Sequence, residues 1–283
     1  MSIFDTFERK HDYLVCVDSD GCVMDTMNCK HFHCFGPCMV TEWGLEAWKD
    51  AILHRWNVIN LFSMTRGINR FKGLAMALGE IHEQYTAIEG IEALQNWADN
   101  APALSNDAVK KAAEEASDSA AKKVLKKALS WSKAVNAAIV ELPEELKVPY
   151  EGVKEGLAAA HSFADVAMVS SANRDAVEEE WGKFGLLTHT DIVLAQDIGS
   201  KAACIAEMMK FGYDPKKVVM VGDAPGDSDA AAKNGVWYYP ILVNHEKESW
   251  DELVETGFEK LTSGSFAEYE AEKKQAFLRN LGG

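Results

Sequence analysis

Four short apolar runs frame this chain: YLVCV at 13–17, VAMV at 166–169, IVLA at 192–195 and VVMV at 218–221. Each is continuous rather than alternating, and each stops abruptly at polar or glycine residues, in DSDG, SSANRD, QDIGSK and GDAPGDSD respectively. Short continuous runs of this kind fit strands buried on both faces, since alternation is needed only where one face meets water. Segments of helical length, 175–184 and 202–211, separate the later runs. Strands thus alternate with helices, and a parallel sheet covered by helices is predicted. A fifth strand is predicted through VWYYPILV at 236–243, where Pro240, with no N–H for a neighbour, points to a sheet edge. The tail from Lys247 onward reads as an acidic amphipathic helix that covers the core.

The stretch 27–149 breaks this alternation and contains no strand-like run. Segments 46–62, 70–83 and 91–100 carry apolar residues at helical spacing, and 107–140 is rich in Ala, Lys and Glu, with a break expected at the SDS of 117–119. The chain divides on this reading into an α/β core, 1–26 with 150–283, and an all-helical module, 27–149, inserted after the first strand. Lys110, Lys111, Glu114 and Glu115, with Lys122, Lys123, Lys126 and Lys127, read as solvated helix faces.

Charge and composition narrow the classes. With 29 Lys and Arg against 44 Asp and Glu, the formal net charge is −15. That field repels polyanions, which argues against nucleic acid as a partner and favours divalent cations. The opening MSIFDTFERKHDYLVCV is charged throughout and lacks the apolar centre of a signal peptide, and no stretch approaches the ~18 apolar residues of a membrane span. Six cysteines are too few to staple 283 residues and fit a reducing compartment. A cytoplasmic protein with no membrane partner is expected.

The chemistry emerges when the strand ends are compared, because open parallel sheets bind ligands outside the carboxyl ends of their strands. Asp18 and Asp20 follow the first run, Ser170 the second, Lys201 lies beyond the third, and Asp223 and Asp227 follow the fourth. Carboxylates crowded on one rim repel each other unless a cation or a proton lies between them. Oxygen ligands from loops suit Mg²⁺, which takes one or two carboxylates together with waters and a substrate phosphate. Singly, each residue has an ordinary reading: a turn at Asp20-Gly21, a helix cap at Asp227, a strand-end cap at Ser170. Together they point to metal-assisted phosphoryl transfer.

VCVDSDGCVMDT resembles the first motif of the haloacid dehalogenase superfamily, MVSSAN its second, Lys201 its third, and VGDAPGD the Gly-Asp form of its fourth. The resemblance implies a Rossmann-like parallel-sheet core with an all-helical cap inserted after motif one. It also implies a Mg²⁺-dependent phosphohydrolase that cleaves a phosphomonoester of a small metabolite through an aspartyl phosphate. Asp18 would then be the nucleophile and Asp20 the general acid and base. Asp18, the Asp20 carbonyl and Asp223 would hold the metal, with Asp227 binding it or orienting a metal-bound water. Ser170 and Lys201 would hydrogen-bond the phosphoryl oxygens. Two departures stand out: Ser19 occupies a position commonly apolar in the family, and Ala202 follows Lys201 where many members have Pro. The pair Asp25-Thr26 is expected to cap the helix entering the insertion.

Substrate specificity is expected in the insertion, where Arg66, Asn69 and Arg70 would share a helix face and bind an anionic or hydroxylated leaving group. The competing reading for the arginines is a salt bridge to an acidic helix. Cys29, His31, His33, Cys34 and Cys38 lack the paired spacing of common zinc sites and are expected as buried packing near the hinge. Two alternatives to the phosphatase remain: a phosphomutase of the β-phosphoglucomutase type, which shares the core motifs, and a non-catalytic binding protein on the same fold.

Overall fold

In a computed structural model that describes residues 3–282, the chain separates into two compact units, Met1–Met27 with Glu144–Gly283, and Asn28–Pro143. The first unit holds a parallel sheet of β1 (Tyr13–Val17), β2 (Ala164–Val169), β3 (Ile192–Leu194), β4 (Val218–Gly222) and β5 (Trp237–Pro240), in the order β3-β2-β1-β4-β5. All residues of β2 and β4 are buried, as their unbroken apolar runs require. The register aligns the strand ends: Val17 lies opposite both Met168 and Val221. Loops leaving β1, β2 and β4 therefore start at one level.

Helices at Val153–His161, Arg174–Lys183, Lys201–Met209 and Pro225–Asn234 connect the strands. Polar side chains start two of them: Asn173 accepts from Ala176 N and Ser200 from Ala203 N. One core cluster joins Val15, Val17, Val166 and Val219 to Trp181 and Trp250. At the β5 edge the Glu270 carboxylate accepts from Tyr238 N at 2.9 Å, covering an amide that would otherwise face a free edge.

β5 is shorter than the run 236–243 suggests. Just beyond Pro240, Ile241 N still donates to Gly222 O at 2.9 Å, but the next amides are taken by side chains, Leu242 N by Ser249 Oγ at 3.0 Å and Val243 N by Asn280 Oδ1 at 2.9 Å, and the ladder ends. The acidic tail is likewise several elements rather than one helix. It comprises Glu246–Glu252, a π-turn Leu253–Gly257, Phe258–Ser263 and Phe266–Asn280, with Gly264 at φ 77° closing the third piece.

The segments flanking the insertion run antiparallel within the first unit. Asp25 N donates to Val148 O at 2.8 Å, Tyr150 N to Val23 O at 2.9 Å, and the Tyr150 hydroxyl to Asp25 Oδ1 at 3.1 Å. The expected capping role of Asp25 is thus replaced by a bond to Tyr150. Thr26 begins a short helix, Thr26–Lys30.

The second unit is all-helical, built mainly from Gly36–Trp43, Lys49–Leu61, Arg70–Gln84, Ile91–Asn100, Asn106–Glu115 and Ser119–Val140. Asp118 caps the last, accepting from Ala121 N at 2.7 Å, which accounts for the break at 117–119. Its core is aromatic: Trp56 and Trp131 meet edge to face with centroids 6.0 Å apart. Cys29 and Cys34 are buried in this core, and His31 stacks on Phe35 and accepts from the Trp56 indole at 3.1 Å. No helix among the described residues is long and apolar enough to cross a membrane.

Candidate active site

Asp18 is the first residue beyond β1, and its amide donates to Val221 O at 2.9 Å, one rung beyond the strand pairing. The next residues coil tightly: Ser19 O accepts from the amides of Cys22, Val23 and Met24, and Gly21 takes φ 85°, which a side chain would resist. Asp223 follows β4. Asp227 lies in the first turn of Pro225–Asn234 and accepts from Ala224 N at 3.0 Å. Gly222 permits this packing, since a Cβ there would collide with the Asp227 carboxylate.

Asp18, Asp223 and Asp227 are buried, and one ligand oxygen of each lies within 4.8 Å of the others. Lys201, at the start of its helix, reaches Asp18 Oδ1 at 2.8 Å and Asp227 Oδ1 at 2.6 Å. Two of the three clustered carboxylates therefore share one ammonium. Burial raises the Asp18 pKa well above the ordinary carboxylate range; Lys201 opposes this, while Asp227 and Asp223 add to it. Asp227 is raised as well, by burial first, with Lys201 again opposing. Burial works against the Lys201 charge, but the two carboxylates outweigh it and hold its pKa above the usual lysine value. Clustered carboxylates repel one another unless a cation lies between them, and the hard oxygen donors of this group fit a divalent cation.

Asp20 is held by a hydrogen bond from the Thr26 hydroxyl. The sequence reading assigned Thr26 only to a helix start. Its small polar side chain, fully buried six residues past Asp20, makes a contact that spacing alone does not reveal. Ser170 is buried just beyond β2, and its Oγ accepts from Ala172 N at 3.1 Å, which leaves the hydroxyl hydrogen to donate.

The remaining residues singled out from the sequence lie in the second unit and do not share a helix face. Arg66 lies before the helix that Arg70 begins, and Asn69 caps that helix, accepting from Phe71 N at 2.9 Å. The N-terminal signal in this stretch is Asn69 itself, so the helix cannot extend back to Arg66. Arg66 is buried and donates to Leu61 O at 2.9 Å. Arg70 donates to Asn136 Oδ1 at 2.7 Å and Ser132 Oγ at 3.2 Å and lies over the Phe35 ring, neutral partners in place of the expected acidic helix. Among the described residues, Asp18, Asp223 and Asp227 form the one cluster with metal-ligand spacing, and the Cys29–Cys38 segment forms none. A cleft of about 270 Å³ lined by residues that include Phe7, Glu178 and Leu187 contains none of the acidic triad.

A doubly wound α/β sheet with four loops carrying acids, a hydroxyl and a lysine to the carboxyl ends of its strands defines a class of hydrolase core. The chain matches the haloacid dehalogenase-like hydrolase family over residues 71–239, more than half its length, and it belongs to that family. The matched span starts after Asp18 and Asp20 and includes Ser170, Lys201, Asp223 and Asp227. Among solved structures it is similar to a candidate phosphoglycolate phosphatase from Lactobacillus delbrueckii subsp. bulgaricus, at TM-score 0.51 and 11% identity, covering 81% of this chain and 85% of that one. It is also similar to a predicted phosphoglycolate phosphatase from Haemophilus somnus, at TM-score 0.46 and 17% identity over 87% and 97% of the two chains. No curated protein matches.

Proposed function

We propose that this hydrolase is a Mg²⁺-dependent phosphatase that cleaves a phosphomonoester of a small metabolite through an aspartyl phosphate on Asp18. The observation carrying this reading is the Lys201 ammonium between Asp18 and Asp227, with Asp223 completing a buried acidic group. A nucleophilic carboxylate must meet an anionic phosphoryl group, and such a meeting needs concentrated positive charge.

Asp18 Oδ attacks phosphorus, and the bond to the leaving oxygen breaks as a proton reaches that oxygen from Asp20. Asp20, held by Thr26, then takes a proton from the water that hydrolyses the aspartyl phosphate. Lys201 and the Ser170 hydroxyl stabilise charge on the phosphoryl oxygens. Asp18, Asp223 and Asp227, with the Asp20 carbonyl, would hold Mg²⁺, which when bound supplies charge neutralisation. Arg66, Asn69 and Arg70 do not enter this reading, because their hydrogen bonds hold their own unit together.

The test is hydrolysis of a generic aryl phosphate. Wild-type protein with Mg²⁺ should release phosphate, chelation should stop it, and Asp18→Asn, which is isosteric, should abolish turnover while leaving the fold intact. Wild-type turnover in the Asp18→Asn variant, or turnover indifferent to chelation, would count against the proposal. Incubation with a hexose phosphate separates hydrolysis from isomerisation, which would mark a phosphomutase.

A further inference from the structure

Between the two aspartates of the first loop stands Ser19, fully buried. Its Oγ accepts a hydrogen bond from the indole N–H of Trp181 at 2.9 Å. Trp181 is itself fully buried, on the helix Arg174–Lys183 that follows the Ser170 loop. One hydrogen bond thus joins the loop bearing Asp18 and Asp20 to the helix leading out of the loop bearing Ser170. A second buried indole grips the same loop, Trp250 donating to Cys22 O at 3.0 Å.

Packing alone does not call for this pair. A buried indole N–H can only donate, and an apolar side chain at 19 would leave it without an acceptor at a cost of about 1–3 kcal/mol. A buried serine likewise needs a partner. The Ser19 carbonyl already accepts from the amides of Cys22, Val23 and Met24, so the bond from Trp181 gives the residue between Asp18 and Asp20 a second anchor, through its side chain. Small misplacements matter in phosphoryl transfer, where about 1 Å costs of the order of 10²-fold in rate.

We propose that Trp181 and Ser19 form a positioning pair for the reaction at Asp18, Trp181 acting through the Ser19 hydroxyl; this rests on the phosphatase reading above. The pair orients the Asp18–Asp20 backbone relative to Lys201 and Ser170. Neither residue touches substrate.

The experiment measures steady-state kinetics on an aryl phosphate with Mg²⁺ for the full chain, together with hydrogen exchange of the Trp181 indole N–H by NMR. Trp181→Phe and Ser19→Ala should each lower kcat about tenfold with KM unchanged, and the double variant should lose no more than the worse single one. Ser19→Thr, which keeps the hydroxyl, should retain more turnover than its isostere Ser19→Val. The Trp181 indole should exchange faster in Ser19→Ala than in wild type. Trp237→Phe, which removes an indole bond to Lys216 O at 2.9 Å, should leave kcat unchanged. Wild-type kcat in Trp181→Phe, additive losses, equal Thr and Val variants or unaltered indole exchange would each overturn the pair while leaving the phosphatase reading standing. A wild-type protein without phosphatase turnover would instead overturn that reading, and the pair's catalytic role with it.

Discussion

The Lys201 ammonium lies 2.6 Å from Asp227 Oδ1, in a site where the Asp227 side chain is wholly enclosed. The same nitrogen reaches Asp18, so one positive group holds two loops that follow different strands. Replacing it with the uncharged Met leaves buried carboxylates without their counter-charge. Lys201→Met should lower stability by about 3–5 kcal/mol in urea titrations without metal. It should also reduce turnover by about 10²–10³-fold. Added Mg²⁺ should raise the melting temperature of this variant more than that of wild type. Equal shifts would show that the cation does not offset the same crowding.

Thr26→Val removes the hydroxyl that holds Asp20 while preserving shape. If Asp20 delivers a proton to the leaving oxygen, the loss should depend on how much that oxygen needs one. An alkyl phosphate should slow about tenfold or more in this variant, and a nitrophenyl phosphate, whose phenolate departs unaided, much less. Equal losses on both substrates would separate Thr26 from the proton transfer.

At Gly156 an added Cβ would collide with the Trp250 ring. Gly156→Ala should therefore cost about 1–3 kcal/mol of overpacking, despite alanine's better helix propensity. A midpoint of urea unfolding equal to wild type would mean that the indole moves aside freely.

Asp191 accepts from Lys10 Nζ at 2.8 Å and Val166 N at 2.9 Å, and lies 3.2 Å from His161 Nε2. Burial pushes its carboxyl up, but the donors from Lys10, Val166 and His161 outweigh burial and hold it below the usual range. A carboxylate with a lower pKa folded than unfolded adds stability above its unfolded value, about 3.9, and loses it as pH falls through the folded value. Asp191→Ala should therefore cost about 2 kcal/mol at pH 7. The gap to wild type should narrow as unfolding is followed below about pH 4, and a gap constant with pH would contradict the assignment.

The parallel sheet was legible because buried strands advertise themselves: VAMV and VVMV have no polar residue to expose, and both are wholly enclosed. Asp18, Lys201, Asp223 and Asp227 were legible as a group for a related reason, since acids at successive strand ends converge whenever the strands are parallel and in register. The Arg66-to-Arg70 face was misread because spacing of four implies one face only inside a helix, and Asn69 starts the helix between them. Asp20 with Thr26 and Ser19 with Trp181 escaped notice because hydrogen-bond partners depend on how a loop coils and where a distant helix lands. Neither leaves a periodic trace in the chain. The tail was read as one helix because its apolar spacing persists through Gly264, whose positive φ is a backbone property.

The antiparallel contact of Val23–Asp25 with Val148–Tyr150 has an architectural consequence. The polypeptide departs from the sheet-bearing unit and rejoins it through two stems that are hydrogen-bonded to each other, so the detour of more than a hundred residues is stitched shut at its base. A scaffold sealed in this way can exchange whatever hangs beyond the stitch for a bundle of different length or chemistry without disturbing strand order, register or the acids at the rim.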